Sequence, residues 1–291
     1  MALVETYDML GVAVRVEIDD DTAATRIAEL LQDAPRTTET PERVLRLEQA
    51  NDGTRALIQD GEVVRPDMEP PMSVSVLLWA VHQAAMRTDR FVVLHAGAVA
   101  LEGRGYLLPG EREVGKSTLV TGLVRDGFSY LSDELGVISL DGRTLHPHSR
   151  PIGLDPGAFP WFAELEPKTP PEFADDRRWH LRADDVRPGS RSEPVPLAAV
   201  VFPQYVADAE PRLEPIRRPE ALWLMSRSAV NLDLLGRHGF TTLGDVAASV
   251  PVYRMRSGSL DDAAQMIRSV ASSASSGASA SRRGPSPAVG G

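Results

Sequence analysis

The segment with the clearest chemical potential is a glycine-rich loop between an apolar run and a helix-forming run. Residues 110–117 read GEREVGKS and match the pattern G-x-x-x-x-G-K-[ST]. Glycines in this pattern let backbone N–H groups turn inward around phosphate oxygens, and the start of the following helix attracts the same negative charge. The predicted nucleotide-binding residues are Gly110, Glu111, Arg112, Glu113, Val114, Gly115, Lys116, Ser117 and Thr118.

Two side chains of this loop have predicted roles toward a nucleoside triphosphate. Lys116 would contact the β- and γ-phosphates of ATP, and the Ser117 hydroxyl would be a ligand of Mg²⁺. Lys116 and Lys168 are the only lysines among the 31 basic residues of the chain. With so few lysines in the chain, chance would rarely place one in the loop pattern. The sequence therefore predicts ATP and Mg²⁺ as cofactors.

A pair of acids, Asp133 and Glu134, follows the next apolar run, in the segment YLSDEL. The intervening helix and turn leave just enough chain for this strand to lie beside the strand before the loop. The acids would then reach the sheet edge where open α/β sheets place their ligands. One acid can accept the proton of an attacking hydroxyl, and the other can help hold Mg²⁺. The alternative is a solvated acidic pair at a strand end.

The elements around these residues predict an α/β fold, because strands and a helix alternate along the chain. An apolar run at Phe91–Leu101 predicts a buried strand. Residues 137–146 predict a hairpin that turns at Asp141-Gly142. We expect a small α+β domain at 1–90, a nucleotide-binding domain at 91–270 and a disordered tail at 271–291, where Ser, Ala, Gly and Pro dominate.

Composition excludes several classes of function. The net charge is −10 without a dense basic block, so we expect neither nucleic-acid nor membrane binding. The chain has no cysteine, which excludes disulfides, thiolate metal sites and a cysteine nucleophile. The N-terminus lacks the pattern of a signal peptide, and no apolar run is long enough to span a membrane, so the expected location is the cytoplasm.

The run from 92 to 142, which contains LHAG, the glycine-rich loop and SDE, resembles the core of HPr kinase/phosphorylase and its relatives. These relatives share a P-loop fold with phosphoenolpyruvate carboxykinase and include kinases of the lasso-peptide type. The resemblance implies that Asp133 is the general base, that His95 lies near the transferred phosphate and that Glu134 helps bind the metal. Later segments, HSRPIGL and PLAAVVFPQY, extend the resemblance, and VRPGSRS loosely matches a substrate loop through Arg187 and Arg191.

The sequence therefore predicts an ATP-dependent kinase that transfers the γ-phosphate to a hydroxyl acceptor, most readily a serine of a peptide or protein. A small-molecule acceptor is the first alternative; a metabolite kinase of the shikimate kinase type should, however, have a helix after its acid. The second alternative is a non-catalytic nucleotide-binding regulatory protein, favoured by the charged pair Arg112-Glu113 inside the loop. Because HPr kinases are oligomeric, the resemblance also leaves a homo-oligomer open.

Overall fold

The computed structural model describes residues 2–110 and 115–280 of the 291-residue chain. Strands and helices are mixed along this part of the protein, which places it in the α/β class. The strands are β1 (Leu3–Met9), β2 (Val12–Ile18), β3 (Arg43–Gln49), β4 (Arg55–Gln59), β5 (Glu62–Met68), β6 (Phe91–Leu101), β7 (Arg104–Pro109), β8 (Ser129–Ser132), β9 (Leu135–Ser139), β10 (Thr144–His146), β11 (Ile152–Leu154), β12 (Trp179–Leu181), β13 (Val195–Tyr205), β14 (Arg212–Pro215) and β15 (Val252–Ser257). The helices are α1 (Asp21–Leu30), α2 (Pro70–Ala85), α3 (Lys116–Arg125), α4 (Ala183–Val186), α5 (Arg218–Ser228), α6 (Leu232–Ser249) and α7 (Leu260–Ala280).

The N-terminal sheet has the order β1-β2-β3-β4-β5, with a parallel pair, β2 and β3, joined through α1. Helix α1 begins where the Asp20 carboxylate accepts hydrogen bonds from the N–H groups of Thr22 and Ala23, as an N-cap residue does. The same carboxylate pairs with Arg55 of β4, whose side chain is 1% exposed. One aspartate therefore fixes both the start of the helix and its position over the sheet.

The second sheet has the order β10-β9-β6-β7-β13-β15-β14, and β8 pairs with β6. The predicted contact between β8 and the strand before the loop, β7, is wrong, because β6 lies between them. Both strands run antiparallel to β6 and thus parallel to each other. Their carboxyl ends still lie at one edge of the sheet, so the expected meeting of loop and acids survives through a different topology.

Strands β8 and β9 occupy the same side of β6, one after the other. Ser132 is opposite Ala98 of β6, and Leu135 is opposite His95. Asp133 and Glu134 form the interruption between these two pairings. The antiparallel pairing of β9 with β10 confirms the predicted hairpin, and no helix follows the acids as it would in a shikimate-type kinase.

The two sheets share part of their hydrophobic core. The cluster formed by β1–β5, α1 and α2 also contains Val93 of β6, Leu135 and Val137 of β9, and Phe173. Phe173 lies beneath the guanidinium of Arg55, 4.8 Å from its ring centroid. The predicted boundary near residue 90 separates the two sheets, but buried side chains continue across it.

Three predictions about the C-terminal part need correction. The final helix continues through Ala280, so residues 271–280 of the predicted tail are helical, and residues 281–291 lie outside the described residues. The sequence pattern over 220–235 favours one helix, whereas the structure has two helices that are interrupted after Ser228. The segment LLGRHGFTTLGDVA favours a helix-turn-helix connection that turns at His238-Gly239, whereas the turn lies at Gly236, where φ is 53°. None of the helices in the described part is long and apolar enough to cross a membrane.

Candidate functional site

The glycine-rich loop connects the end of β7 to the start of α3. Gly110 follows the last strand residue and donates its N–H to the carbonyl of His95 on β6, at 3.3 Å. Gly115 is the N-cap of α3 and has φ of 81°, a left-handed conformation that glycine adopts without a steric penalty. A Cβ atom at Gly115 would meet no heavy atom of the described residues within 4 Å. Glu111–Val114 lie outside the described residues.

Lys116 is the first residue of α3, and only 7% of it is exposed. Its Nζ donates a hydrogen bond to the carbonyl oxygen of Gly110, at 2.9 Å. The ammonium group therefore joins the first residue of α3 to Gly110, the residue at which the loop begins. A phosphate held by the loop would meet a lysine that is already in place. Thr118 lies one residue beyond Ser117 in the first turn of α3, half-buried.

Asp133 is the most enclosed acid of the site, at 1% exposure. Its Oδ2 accepts hydrogen bonds from the Ser117 hydroxyl at 2.8 Å and from the Gly153 N–H at 3.2 Å. Its Oδ1 accepts one from the Tyr130 hydroxyl at 3.1 Å. Burial and the nearby Asp133 charge raise the pKa of Tyr130 well above its usual value, so the phenol stays a donor. These contacts hold the carboxylate against the predicted magnesium ligand.

Glu134 lies on the more open side of the pair, with 24% of its side chain exposed. Its carboxylate forms an ion pair with Nη1 of Arg150, and Nε of the same arginine is 3.7 Å from Asp133 Oδ1. The backbone N–H groups of Glu134 and Leu135 both bond to the Ser132 hydroxyl. One arginine thus bridges two adjacent carboxylates and compensates for their mutual repulsion.

Two buried histidines lie behind Glu134. His82, in the last turn of α2, is 3% exposed, and His148 is 4% exposed. His82 Nδ1 lies 2.5 Å from His148 Nε2, while His82 Nε2 lies 3.9 Å from Glu134 Oε2. Burial and the Arg150 charge lower the pKa of His82 well below its usual value, and burial lowers the pKa of His148 to about 4. Both rings are therefore neutral near pH 7.

The structure places the remaining predicted residues at different distances from the site. His95 is half-buried on β6 beside the loop, where its backbone carbonyl accepts the hydrogen bond from Gly110. Arg187 donates hydrogen bonds to the carbonyls of Val124 and Phe128 and so ties the end of α3 to its own loop. Arg191 pairs with Asp33 of the N-terminal unit at 2.8 Å. Both arginines of the supposed substrate loop have structural partners.

Mg²⁺ with a nucleotide needs few protein ligands, because phosphate oxygens and waters complete its octahedron. Ser117 supplies a hydroxyl oxygen and Asp133 a carboxylate oxygen, the hard donors that this ion prefers. Among residues 2–110 and 115–280, no group of three or more histidine or acidic side chains is arranged to hold a metal ion. The Ser117 and Asp133 oxygens therefore fit a metal ion that phosphate oxygens would also bind.

Sequence reasoning missed four residues that line or support the acids. Tyr130 and Gly153 bond to Asp133, Arg150 bridges both acids, and His82 approaches Glu134 from another helix. Arg150 lies inside the HSRPIGL segment that carried part of the resemblance, so a signal for it was available. His82 lies in an apolar helix just over fifty residues before the acids, and no local pattern connects them.

No family model and no curated protein matches this chain. Among solved structures, the HPr(Ser) kinase/phosphatase from Coxiella burnetii is similar over 62% of this chain and 94% of its own length. The two share 10% identity with a TM-score of 0.35. This is a distant likeness that does not by itself assign a fold family or an activity to the chain.

Proposed function

We propose that this protein is an ATP-dependent phosphotransferase of the HPr kinase type, which transfers the γ-phosphate to a hydroxyl acceptor. The observation that carries the proposal is the 2.8 Å hydrogen bond between Ser117 and Asp133. It joins the last residue of a phosphate-loop pattern to an acid from a different strand. A chance match to the phosphate-loop pattern in an ordinary strand-to-helix turn would not explain this contact.

The parts of the site divide the work of phosphoryl transfer. The loop amides, the start of α3 and Lys116 would hold the β- and γ-phosphates. Ser117 and one carboxylate would hold Mg²⁺, which when bound neutralises charge on the phosphate oxygens. Arg150 adds a positive charge between the acids and limits their repulsion toward an incoming phosphate.

The contacts favour a reversal of the roles that the resemblance implies for the two acids. Asp133 bonds to Ser117 and is nearly closed to solvent, which suits the metal side of the site. Glu134 is more exposed and has an orientation that Arg150 fixes, which suits a base that must reach an acceptor hydroxyl. Proton transfer needs approach to within about 2.6–3.2 Å, and the enclosed acid offers little surface for that approach.

The acceptor that we propose is a serine of a peptide or protein, with a small alcohol as the alternative. The same site also suits a regulatory protein that binds nucleotide without transfer. One observation favours the regulatory protein: both carboxylate oxygens of Asp133 already accept hydrogen bonds from protein groups. The proposed fold is the P-loop core shared with phosphoenolpyruvate carboxykinase, preceded by the small N-terminal α+β unit.

The test is magnesium-dependent ATP binding by calorimetry, followed by release or transfer of the γ-phosphate. Lys116→Ala should abolish binding, because the variant removes the ammonium group that joins the two ends of the loop. Lys168→Ala is the matched control: it removes the other lysine of the chain, on an exposed loop, and should bind as the wild type does.

The outcomes separate the functions. Binding with transfer to serine peptides supports the kinase, and transfer only to small alcohols supports the first alternative. Binding without any turnover, unchanged by Asp133→Asn and Glu134→Gln, supports the regulatory protein. Absence of binding by the wild type, or equal binding by Lys116→Ala, refutes the proposed site.

A further inference from the structure

We infer that His82 is a positioning residue for Glu134, so that the N-terminal unit forms part of the active site. The inference rests on the proposed function for the role of Glu134, but its geometric part can be tested without nucleotide. His82 belongs to α2, which packs on the N-terminal sheet, whereas Glu134 follows β8 of the second sheet. A contact between them joins the two parts of the chain at the acid pair.

The side chain of His82 has an unsatisfied polar atom that faces the acid. Its Nε2 is buried and has no hydrogen-bond partner among the described residues, and the nearest carboxylate oxygen of Glu134 is 3.9 Å away. A buried polar group without a partner costs free energy, so its neighbour should be one that it can bond. A shift of about 1 Å would bring the two atoms within hydrogen-bond distance. Because 24% of the Glu134 side chain is exposed, packed neighbours do not enclose it on every side.

The histidine pair determines which nitrogen of His82 carries the proton. His82 Nδ1 and His148 Nε2 are 2.5 Å apart, so one donates to the other. If Nδ1 of His82 donated, its Nε2 would present a lone pair to a carboxylate, which is repulsive. If His148 donates, Nε2 of His82 carries a hydrogen that points toward Glu134. The second arrangement gives a directed chain from His148 through His82 to Glu134.

The structure offers a matched control in His180. This histidine is half-buried, and its Nε2 contacts Ser75 of the same helix at 2.9 Å. Its hydrogen bonds involve neither acid of the site. Substitution of His180 therefore perturbs packing against the same helix without removing a hydrogen bond to either acid.

The geometric test is a nitrogen–proton NMR correlation of the histidine rings in the full chain, with His82 assigned by its loss in His82→Gln. We expect His82 in the Nε2–H form, with a ring shift that changes in Glu134→Gln and not in Glu164→Gln, a substitution at a distant exposed acid. A proton on Nδ1, or a ring signal indifferent to Glu134→Gln, overturns the inference. Failure of nucleotide binding would refute the proposed function and leave this result standing.

The functional test compares turnover and the KM for ATP. His82→Leu should lower kcat by about 10- to 100-fold with little change in KM, because it displaces a catalytic group without touching the nucleotide. His82→Gln keeps an N–H donor near the Nε2 position and should recover most of the loss. His180→Leu should retain wild-type kcat. If His82→Leu and His180→Leu lower kcat equally, or if glutamine does not recover it, the role of His82 is only structural.

Discussion

The unequal burial of Asp133 and Glu134 leads to a sharp prediction for their amide variants. Asp133→Asn keeps the shape of the side chain but replaces one acceptor oxygen with a donor. Tyr130 can turn its hydroxyl toward the Arg150 carbonyl, which it also contacts at 3.1 Å. The N–H of Gly153 has no such freedom, so the asparagine oxygen should stay at the Oδ2 position and its NH₂ group should take the Oδ1 position. Arg150 then loses part of the negative charge that balances its own.

The expected loss of stability follows from these contacts. A hydrogen bond to a charged group contributes about 1.5–3 kcal/mol, and Asp133→Asn weakens several at once. We expect the free energy of unfolding to fall by about 2–4 kcal/mol. Glu134→Gln keeps an acceptor for Arg150 at a partly exposed position, so its cost should be about 0–1 kcal/mol.

Urea unfolding of the nucleotide-free protein, followed by tryptophan fluorescence, measures this difference. With a slope of about 2–3 kcal/mol/M, the midpoint of Asp133→Asn should fall by about 1 M. In the same preparations, Asp133→Asn should weaken magnesium-dependent ATP binding, and Glu134→Gln should bind normally but turn over slowly. Equal midpoints would refute the account of Asp133 as the enclosed acid. Loss of metal-dependent binding in Glu134→Gln alone would restore the assignment that the resemblance implies.

Three further predictions concern stability. Arg55→Ala should lower the free energy of unfolding by about 3–5 kcal/mol in urea titrations, because it leaves Asp20 buried without its charge partner; a loss below 1 kcal/mol would contradict this. Burial lowers the pKa of His180 to about 3, so the unfolded chain binds a proton there below about pH 6.5 that the folded chain does not. Stability should thus fall as the pH drops from 6.5 toward 3, by about 1.4 kcal/mol per pH unit from this residue, and His180→Asn should reduce the measured slope. Gly136→Ala should lower the free energy of unfolding by about 1–3 kcal/mol in thermal or urea unfolding, because the new methyl carbon would lie 2.2 Å from Leu107 Cδ1. A variant as stable as the wild type would show that β9 can move away from Leu107.

The sequence predicted elements whose patterns are local. Strand β6 has the bounds that its apolar run predicts, and helix α3 begins at the glycine-lysine pair that closes the loop pattern. Strand β1 and helix α1 were missed, although Asp20 before DTAATRIAEL is an N-cap signal. Helix α5 is separated from α6 by a short break around Val230 that no glycine or proline marks. Propensity alone could not locate that break.

Neighbours that are distant in sequence could not be predicted. The insertion of β6 between β7 and β8 depends on how the sheet assembles, and a spacing along the chain does not encode it. Asp133 and Ser117 were recognisable because their residue types and order follow a known chemical pattern. Arg150 and His82 reach the same place from a loop and from another sheet's helix. Only the packed structure brings these side chains to the acids.

The core shared across the two sheets affects how the protein unfolds. Because Val93 and Val137 are buried among side chains of the N-terminal sheet, exposing one sheet removes apolar cover from the other. The protein should therefore melt in one cooperative transition, and amide hydrogens of α2 should exchange with solvent as slowly as those of β6. A nucleotide bound at the loop would then slow exchange in a helix that it does not touch.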